Sequence, residues 1–255
     1  MSPRLLLLAA LLAGCAGAPP TGPAPYPTAD TVAPGAIALH RLAPDVWTHV
    51  STFELEGGTV YPSNGLVVRD GDGVWLVDTA WGEAATAALL AAVDAEIGLP
   101  VRGAVSTHFH DDRVAGADVL RERGIPVYAS SMTRRLAAAE GNAVPSDSLA
   151  GLTVPGALVQ LGAVEVYFPG GGHTRDNVVV YVPDAGVLAG GCAVHEAART
   201  TAGNTADADL DTWPDALRSI RDRFPDAEIV VPGHGPPGTR ALLDHSIALV
   251  EAAHL

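Results

Sequence analysis

No lysine occurs anywhere in the 255 residues, so all 15 basic side chains are arginines. Binding an anionic group therefore falls to guanidinium, a planar forked donor rather than a point charge. Basic residues are also outnumbered, and 29 acids leave a formal net charge of −14. That balance argues against nucleic acid or an anionic membrane surface as a partner. No serine is flanked by the usual nucleophile motifs, so a covalent acyl-enzyme is not expected.

An apolar run long enough to span a bilayer is missing too. Leu5 to Leu12 is short and follows Arg4, the pattern of an export signal rather than a permanent span. Leu12-Ala13-Gly14-Cys15 then resembles the lipobox of bacterial lipoproteins. Residues 1–14 are accordingly expected as a signal peptide, with cleavage before Cys15 and lipid on that cysteine. Cleavage after Ala16 or Ala18 is the alternative and would leave no lipid. The expected location is the periplasm, with the outer membrane reached only through the lipid. Residues 15–35 are rich in Pro, Gly, Ala and Thr, a composition for an extended tether. Cys192 is the one other cysteine. An unpaired thiol in an oxidising compartment is explained by metal ligation or by burial.

Residues 36–255 show no linker and are expected to form one domain. Two short strands fit Ile37 to Thr52, with His49, like His40, an ordinary surface or strand histidine. Phe53 and Leu55 stand among acids on a turn ending in Gly57-Gly58, and are expected to form a mobile flap. Asp70-Gly71-Asp72-Gly73 marks a hairpin, and residues 82–98 have helical spacing closed by Gly98 and Pro100. Helices are also predicted over 131–140, 212–224 and 239–253, with His245 and His254 at the surface of the last. Meandering strand groups with helices between them, in two similar halves, fit an α+β fold. A four-layer αβ/βα sandwich suits them better than a doubly wound sheet.

The chain is organised around Thr107-His108-Phe109-His110-Asp111-Asp112-Arg113, which follows the apolar strand 101–106. Two imidazoles and a carboxylate on one turn make a borderline ligand set that suits zinc. The turn lies at a strand's carboxyl end, where open α/β sheets place their ligands. Three more polar turns follow strands or Gly-rich connections: Gly172-His173, Gly191-Cys192 and Gly233-His234.

The pattern His108-x-His110-x-Asp112, with His173, Cys192 and His234 in that order, resembles the metallo-β-lactamase family. More narrowly it is similar to the B-one subclass, above all to the Verona integron-encoded (VIM-type) enzymes. Val60 to Gly65, Asp78 to Gly82, Ser106 to Val114, Gly190 to Val194 and Thr201 to Leu210 carry the likeness. The resemblance implies two zinc ions, one on His108, His110 and His173, the other on Asp112, Cys192 and His234. It implies hydrolysis of the β-lactam ring of penicillins, cephalosporins and carbapenems by a metal-activated water, giving antibiotic resistance. Asp112 would orient that water and Asn204 would donate to the lactam carbonyl.

Many B-one enzymes hold the substrate carboxylate with a lysine. Here that position is His195, and Arg199 is the natural replacement. His195 is expected to titrate near about 6.5 and to gain charge as pH falls toward about 6. Tyr61 and Trp81 are expected to wall the cleft beneath the Phe53 and Leu55 flap. The protein is expected to act as a monomer. Relatives such as glyoxalase II carry His directly after this Asp and a bridging Asp in place of Cys192. Arg113 and Cys192 depart from that pattern. A lactonase or thioesterase of the same fold, or a zinc-binding lipoprotein without turnover, remains the alternative.

Overall fold

The computed structural model describes residues 25–254. The expected signal peptide and Cys15 lie outside the described residues. Among the described residues no helix is long and apolar enough to cross a membrane. The first half holds β1 (Ile37–Ala43), β2 (Val46–Glu54), β3 (Val60–Asp70), β4 (Gly73–Val77) and α1 (Glu83–Glu96). It continues with β5 (Val101–Val105), α2 (Asp111–Val114), α3 (Ala117–Glu122), β6 (Val127–Ala129), α4 (Ser131–Glu140) and β7 (Asp147–Ser148). The second half holds β8 (Ala157–Leu161), β9 (Val164–Phe168), β10 (Val179–Val182) and β11 (Val187–Gly191). It ends with α5 (Trp213–Arg223), β12 (Ile229–Pro232) and α6 (Ala241–Ala253).

Strands β1 to β7 form one sheet in chain order, and β8 to β12 form a second, also in chain order. Each begins as an antiparallel meander and turns parallel where a helix intervenes, at β4–β5 and at β11–β12. That follows from geometry, since a parallel neighbour needs a long crossover. Side chains alternate in step. Leu66 and Val68 of β3 enter the core between the sheets, with Val164, Val166, Val180 and Val187 opposite. Val67 of β3 and Val74 and Leu76 of β4 face the other way, onto Leu89 and Val93 of α1 and Leu120 of α3. In the second half Val179 and Tyr181 of β10 and Leu188 of β11 pack on Trp213, Leu217 and Ile220 of α5 and Leu243 of α6. Three apolar layers between four layers of elements make the expected αβ/βα sandwich.

Local structure departs from the sequence in three places. The turn after β5 is itself helical, because α2 starts at Asp111 and carries Asp112. His49 is buried rather than superficial, at 1% exposure. It pairs across the ladder with Gly65 of β3, and the ring crosses over that glycine so that Nε2 meets the Val77 carbonyl of β4 at 3.2 Å. The stretch 25–35 also packs, although its composition predicts a tether. Val32 is 5% exposed and its carbonyl accepts from Thr52 Oγ1 at 2.9 Å.

The His49 crossing makes a stability prediction. A Cβ at position 65 would stand 2.1 Å from His49 Nε2 and 2.3 Å from the Val77 carbonyl oxygen. Gly65→Ala should therefore cost about 3 kcal/mol, the upper end for overpacking, because one obstacle is backbone. Denaturant unfolding should show a lower midpoint at unchanged slope. A loss below about 1 kcal/mol would mean that the ring is free to leave.

Candidate metal centre

Every candidate ligand stands just past the carboxyl end of a strand. His108, His110 and Asp112 follow β5 of the first sheet; His173 follows β9, Cys192 follows β11 and His234 follows β12 of the second. Backbone bonds lock these ends together, two of them across the sheets and one between neighbouring strands of the second. Val178 N donates to the Thr107 carbonyl at 2.9 Å, Gly233 N to Gly191 at 2.7 Å, and Asn64 N to Gly233 at 2.9 Å. The site is thus a seam between the two halves.

Two groups of donors meet there. Nitrogens of His108, His110 and His173 lie within 4.8 Å of one another, and so do donors of His108, Asp112 and Cys192. His234 completes the second group, with Nε2 3.2 Å from Cys192 Sγ and 3.4 Å from Asp112 Oδ2. All six residues implied by the resemblance are therefore together, and His108 stands between the groups.

The donor set fits metal. Three of the four rings have one nitrogen engaged outside the donor groups and the other turned toward them, as metal-bound histidines do. His234 Nδ1 bonds the Pro62 carbonyl at 2.6 Å, leaving Nε2. His110 Nε2 meets Asp207 Oδ2 at 3.0 Å, leaving Nδ1, which lies only 3.1 Å from His173 Nε2. His108 Nδ1 lies 3.3 Å from Thr107 Oγ1, while its Nε2 is buried without a hydrogen-bond partner. A buried ring nitrogen so placed is satisfied by a cation.

Beneath the second group lies Arg113, fully buried. Its NH2 reaches Asp112 Oδ2 at 2.8 Å, Cys192 Sγ at 3.0 Å and the Gly233 carbonyl at 2.9 Å. Its NH1 reaches the Asn64 carbonyl at 2.5 Å and Asp78 Oδ2 at 3.2 Å. Burial opposes ionisation of Asp112, but Arg113 and the neighbouring histidines outweigh it and hold the carboxyl well below its usual range. Burial pushes Asp78 up to about 6, against the pull of Arg113 and Thr107. Burial likewise pushes the Cys192 thiol up, opposed by Arg113. With Cys192 ionised, three negative groups would face one guanidinium, and a bound dication makes the set neutral. This is the balance that a buried charge cluster requires.

The site opens into a cavity of about 670 Å³. Leu55, Tyr61, Trp81, His195, Arg199 and Asn204 all line it. Phe53 stacks on Trp81 with ring centroids 5.0 Å apart. Arg199 donates through NH1 to the Tyr61 hydroxyl, and its own carbonyl bonds His245 Nε2 at 3.0 Å. His245 is therefore no free surface residue; it ties α6 to the arginine loop. Asn204 Oδ1 accepts from Ala206 N at 3.1 Å, so the amide nitrogen is the end left for a ligand. The His195 expectation needs correction. Burial, and then the Arg199 guanidinium, push its pKa down to about 4, so the ring stays neutral near pH 6. Asp207 and Arg113 are the functional neighbours that sequence reasoning missed. An arginine beside a ligand aspartate and an acid in the Asn204 loop were the available signals.

Comparison with known proteins agrees with this geometry. The family model described as the metallo-beta-lactamase superfamily matches residues 58–234. A metallo-beta-lactamase type 2 from Bacillus cereus is 36% identical over 219 residues, covering 85% of this chain and 84% of that protein. A metallo-beta-lactamase structure from Pontibacter korlensis shows 40% identity and a TM-score of 0.78, covering 84% of this chain and 99% of its own. The enzyme FIM-1 from Pseudomonas aeruginosa, in a mono-zinc form, shows 36% identity and a TM-score of 0.83, covering 86% and 97%.

The buried rings set the acid stability of the metal-free protein. Burial pushes His49 to about 4 and His173 to about 3, and His108 well below its usual value. Unfolded, each titrates near about 6.5. Between these limits the unfolded chain takes up protons that the folded chain refuses, so stability falls as pH drops. Asp78 and Asp176, both raised by burial, work the other way, but His195 and His234, each pushed down to about 4, act with the three rings, so five groups stand against two. Chelator-stripped protein should lose at least about 2 kcal/mol between about pH 7 and pH 5, the share of one such histidine. Denaturant titrations that give equal stability at the two pH values would show that the rings are protonated inside the fold.

Proposed function

The chain belongs to the metallo-β-lactamase superfamily, and on that footing we propose that it is a two-zinc β-lactam hydrolase of the B-one subclass. The observation that carries this reading is one cavity shared by both ligand groups and by Arg199, an arginine fixed by Tyr61 and His245. The sources of the reading are the named relatives and the donor set. His108, His110 and His173 hold one ion, and Asp112, Cys192 and His234 the other. When bound, zinc supplies Lewis acidity and lowers the pKa of water to about 7.

The chain's own groups do the rest. Arg199 takes the carboxylate of a penicillin, cephalosporin or carbapenem in a forked pair. The VIM-type likeness supports the same assignment. Asn204 donates from its amide nitrogen to the lactam carbonyl. Asp112, kept ionised by Arg113, accepts a hydrogen bond from water and orients it. Phe53, Leu55, Tyr61 and Trp81 cover the apolar body of the substrate and exclude solvent. His195, neutral, adds a ring surface and no charge. In keeping with the lipobox-like run, the protein is exported to the periplasm as a monomer carrying lipid on Cys15.

A chromogenic cephalosporin, assayed with and without chelator, tests the activity. Turnover should vanish on chelation and return with zinc. Absence of turnover by the zinc-loaded protein, together with cleavage of a lactone or thioester, would replace the reading with another hydrolase of the fold.

The carboxylate assignment has its own measurement. Arg199→Ala should cost about 1.5–3 kcal/mol of transition-state stabilisation, the range for hydrogen bonds to charged groups. That is roughly a 10- to 150-fold loss in kcat/KM. Arg199→Lys should recover only part, because an ammonium lacks the fork. Equal kinetics in Arg199→Ala and wild type would assign the carboxylate elsewhere.

A further inference from the structure

Tyr26 lies in the stretch whose composition predicts a loose tether. Its ring instead stands edge-on to His40, with centroids 5.2 Å apart, and its hydroxyl donates to Asn64 Oδ1 at 2.9 Å. Asn64 is 3% exposed. The other end of its amide donates to two carbonyls, Pro232 at 2.9 Å and Gly235 at 2.6 Å. Those residues bracket the Gly233-His234 pair, and His234 carries the last ligand nitrogen of the second group. The amide is fully used, with two N–H donors on the His234 loop and its oxygen on Tyr26. An asparagine amide turned end for end would aim its oxygen at two carbonyl oxygens and pull the loop apart. The Tyr26 O–H, as a donor to Oδ1, favours the productive orientation.

Resting on the reading that Asp112, Cys192 and His234 hold the second zinc, we propose that Tyr26 is a positioning residue for that ion. Its hydroxyl locks the Asn64 amide, and the amide holds the loop that aims His234. The N-terminal segment is thereby a clasp on the metal centre as well as a connection to whatever precedes it. Tyr26 touches no ligand, so its effect should fall below the roughly 10- to 100-fold typical of residues that do.

Tyr26→Phe removes the hydroxyl and keeps the ring. Chelator-stripped full-length protein is titrated with zinc and, separately, with cobalt, whose thiolate absorption reports the ion on Cys192. The second ion should bind about three- to tenfold more weakly, within the range of one net hydrogen bond. The first ion should bind as in wild type, and the thiolate band should develop at higher cobalt. Asn64→Asp keeps the acceptor but removes both N–H donors, and should weaken the same ion at least as much. In that background Tyr26→Phe should add nothing, since coupled residues are not additive. Equal weakening of both ions, no change in either, or a full further loss in the double variant would overturn the proposal. Wild type that binds a single ion would overturn the two-zinc reading and this inference with it.

Discussion

The buried guanidinium of Arg113 is the constraint on which the rest of the site depends. It holds Asp78 at the end of β4, the Asn64 carbonyl on β3, Asp112 on α2, Cys192 after β11 and the Gly233 carbonyl after β12. Its five partners come from both halves of the fold. Removing one partner from a buried charge cluster is strongly destabilising, because the survivors stay buried without compensation. Arg113 therefore does two things at once. It joins the halves, and it keeps Asp112 ionised for its work at the site.

The same cluster explains why the floor of the cavity and its rim behave differently. The floor is made of short polar contacts among strand ends tied together by backbone bonds. The rim is made of side chains from the β2–β3 hairpin end and from connections, where Phe53, near the end of β2, and Leu55, just past it, remain 40% and 38% exposed. Arg199 belongs to the rim by position but is anchored like the floor, through Tyr61 and His245. With one guanidinium nitrogen on Tyr61 and its backbone carbonyl on His245, Arg199 loses less freedom on binding a carboxylate, which is how preorganisation strengthens a single contact.

Much of this was legible in the sequence, for a physical reason. Ligands placed after β5, β9, β11 and β12 follow apolar runs closed by glycine or a polar turn, so each announces itself locally. The four-layer order was legible because period-two alternation and helical spacing are local too. What escaped was tertiary. His49 looked like a strand histidine, but the missing side chain of Gly65 lets its ring cross to Val77. Arg113 looked like a neighbour of Asp112, since nothing local says that five groups from distant segments converge on it. Tyr26 sits in a Pro- and Gly-rich stretch whose composition predicts no packing, and one hydroxyl overrides that composition. His195 kept its expected place but not its expected charge, because burial beside Arg199 is invisible until the chain is folded.

The reach of Arg113 along the chain bears on the order in which the site assembles. Its partners Asp78, Asn64, Cys192 and Gly233 lie 35, 49, 79 and 120 residues away. Contacts across such distances form late, after loop-closure entropy has been overcome. The last of them requires β12, which docks parallel to β11 only after α5 has crossed over. Until β12 is in place, the three histidines, the carboxylate and the thiol that precede it lack the Gly233 and His234 contacts that complete the seam. A chain cut before β12 would hold the donors of the first group and Arg113 itself, but not the strand end that closes the second.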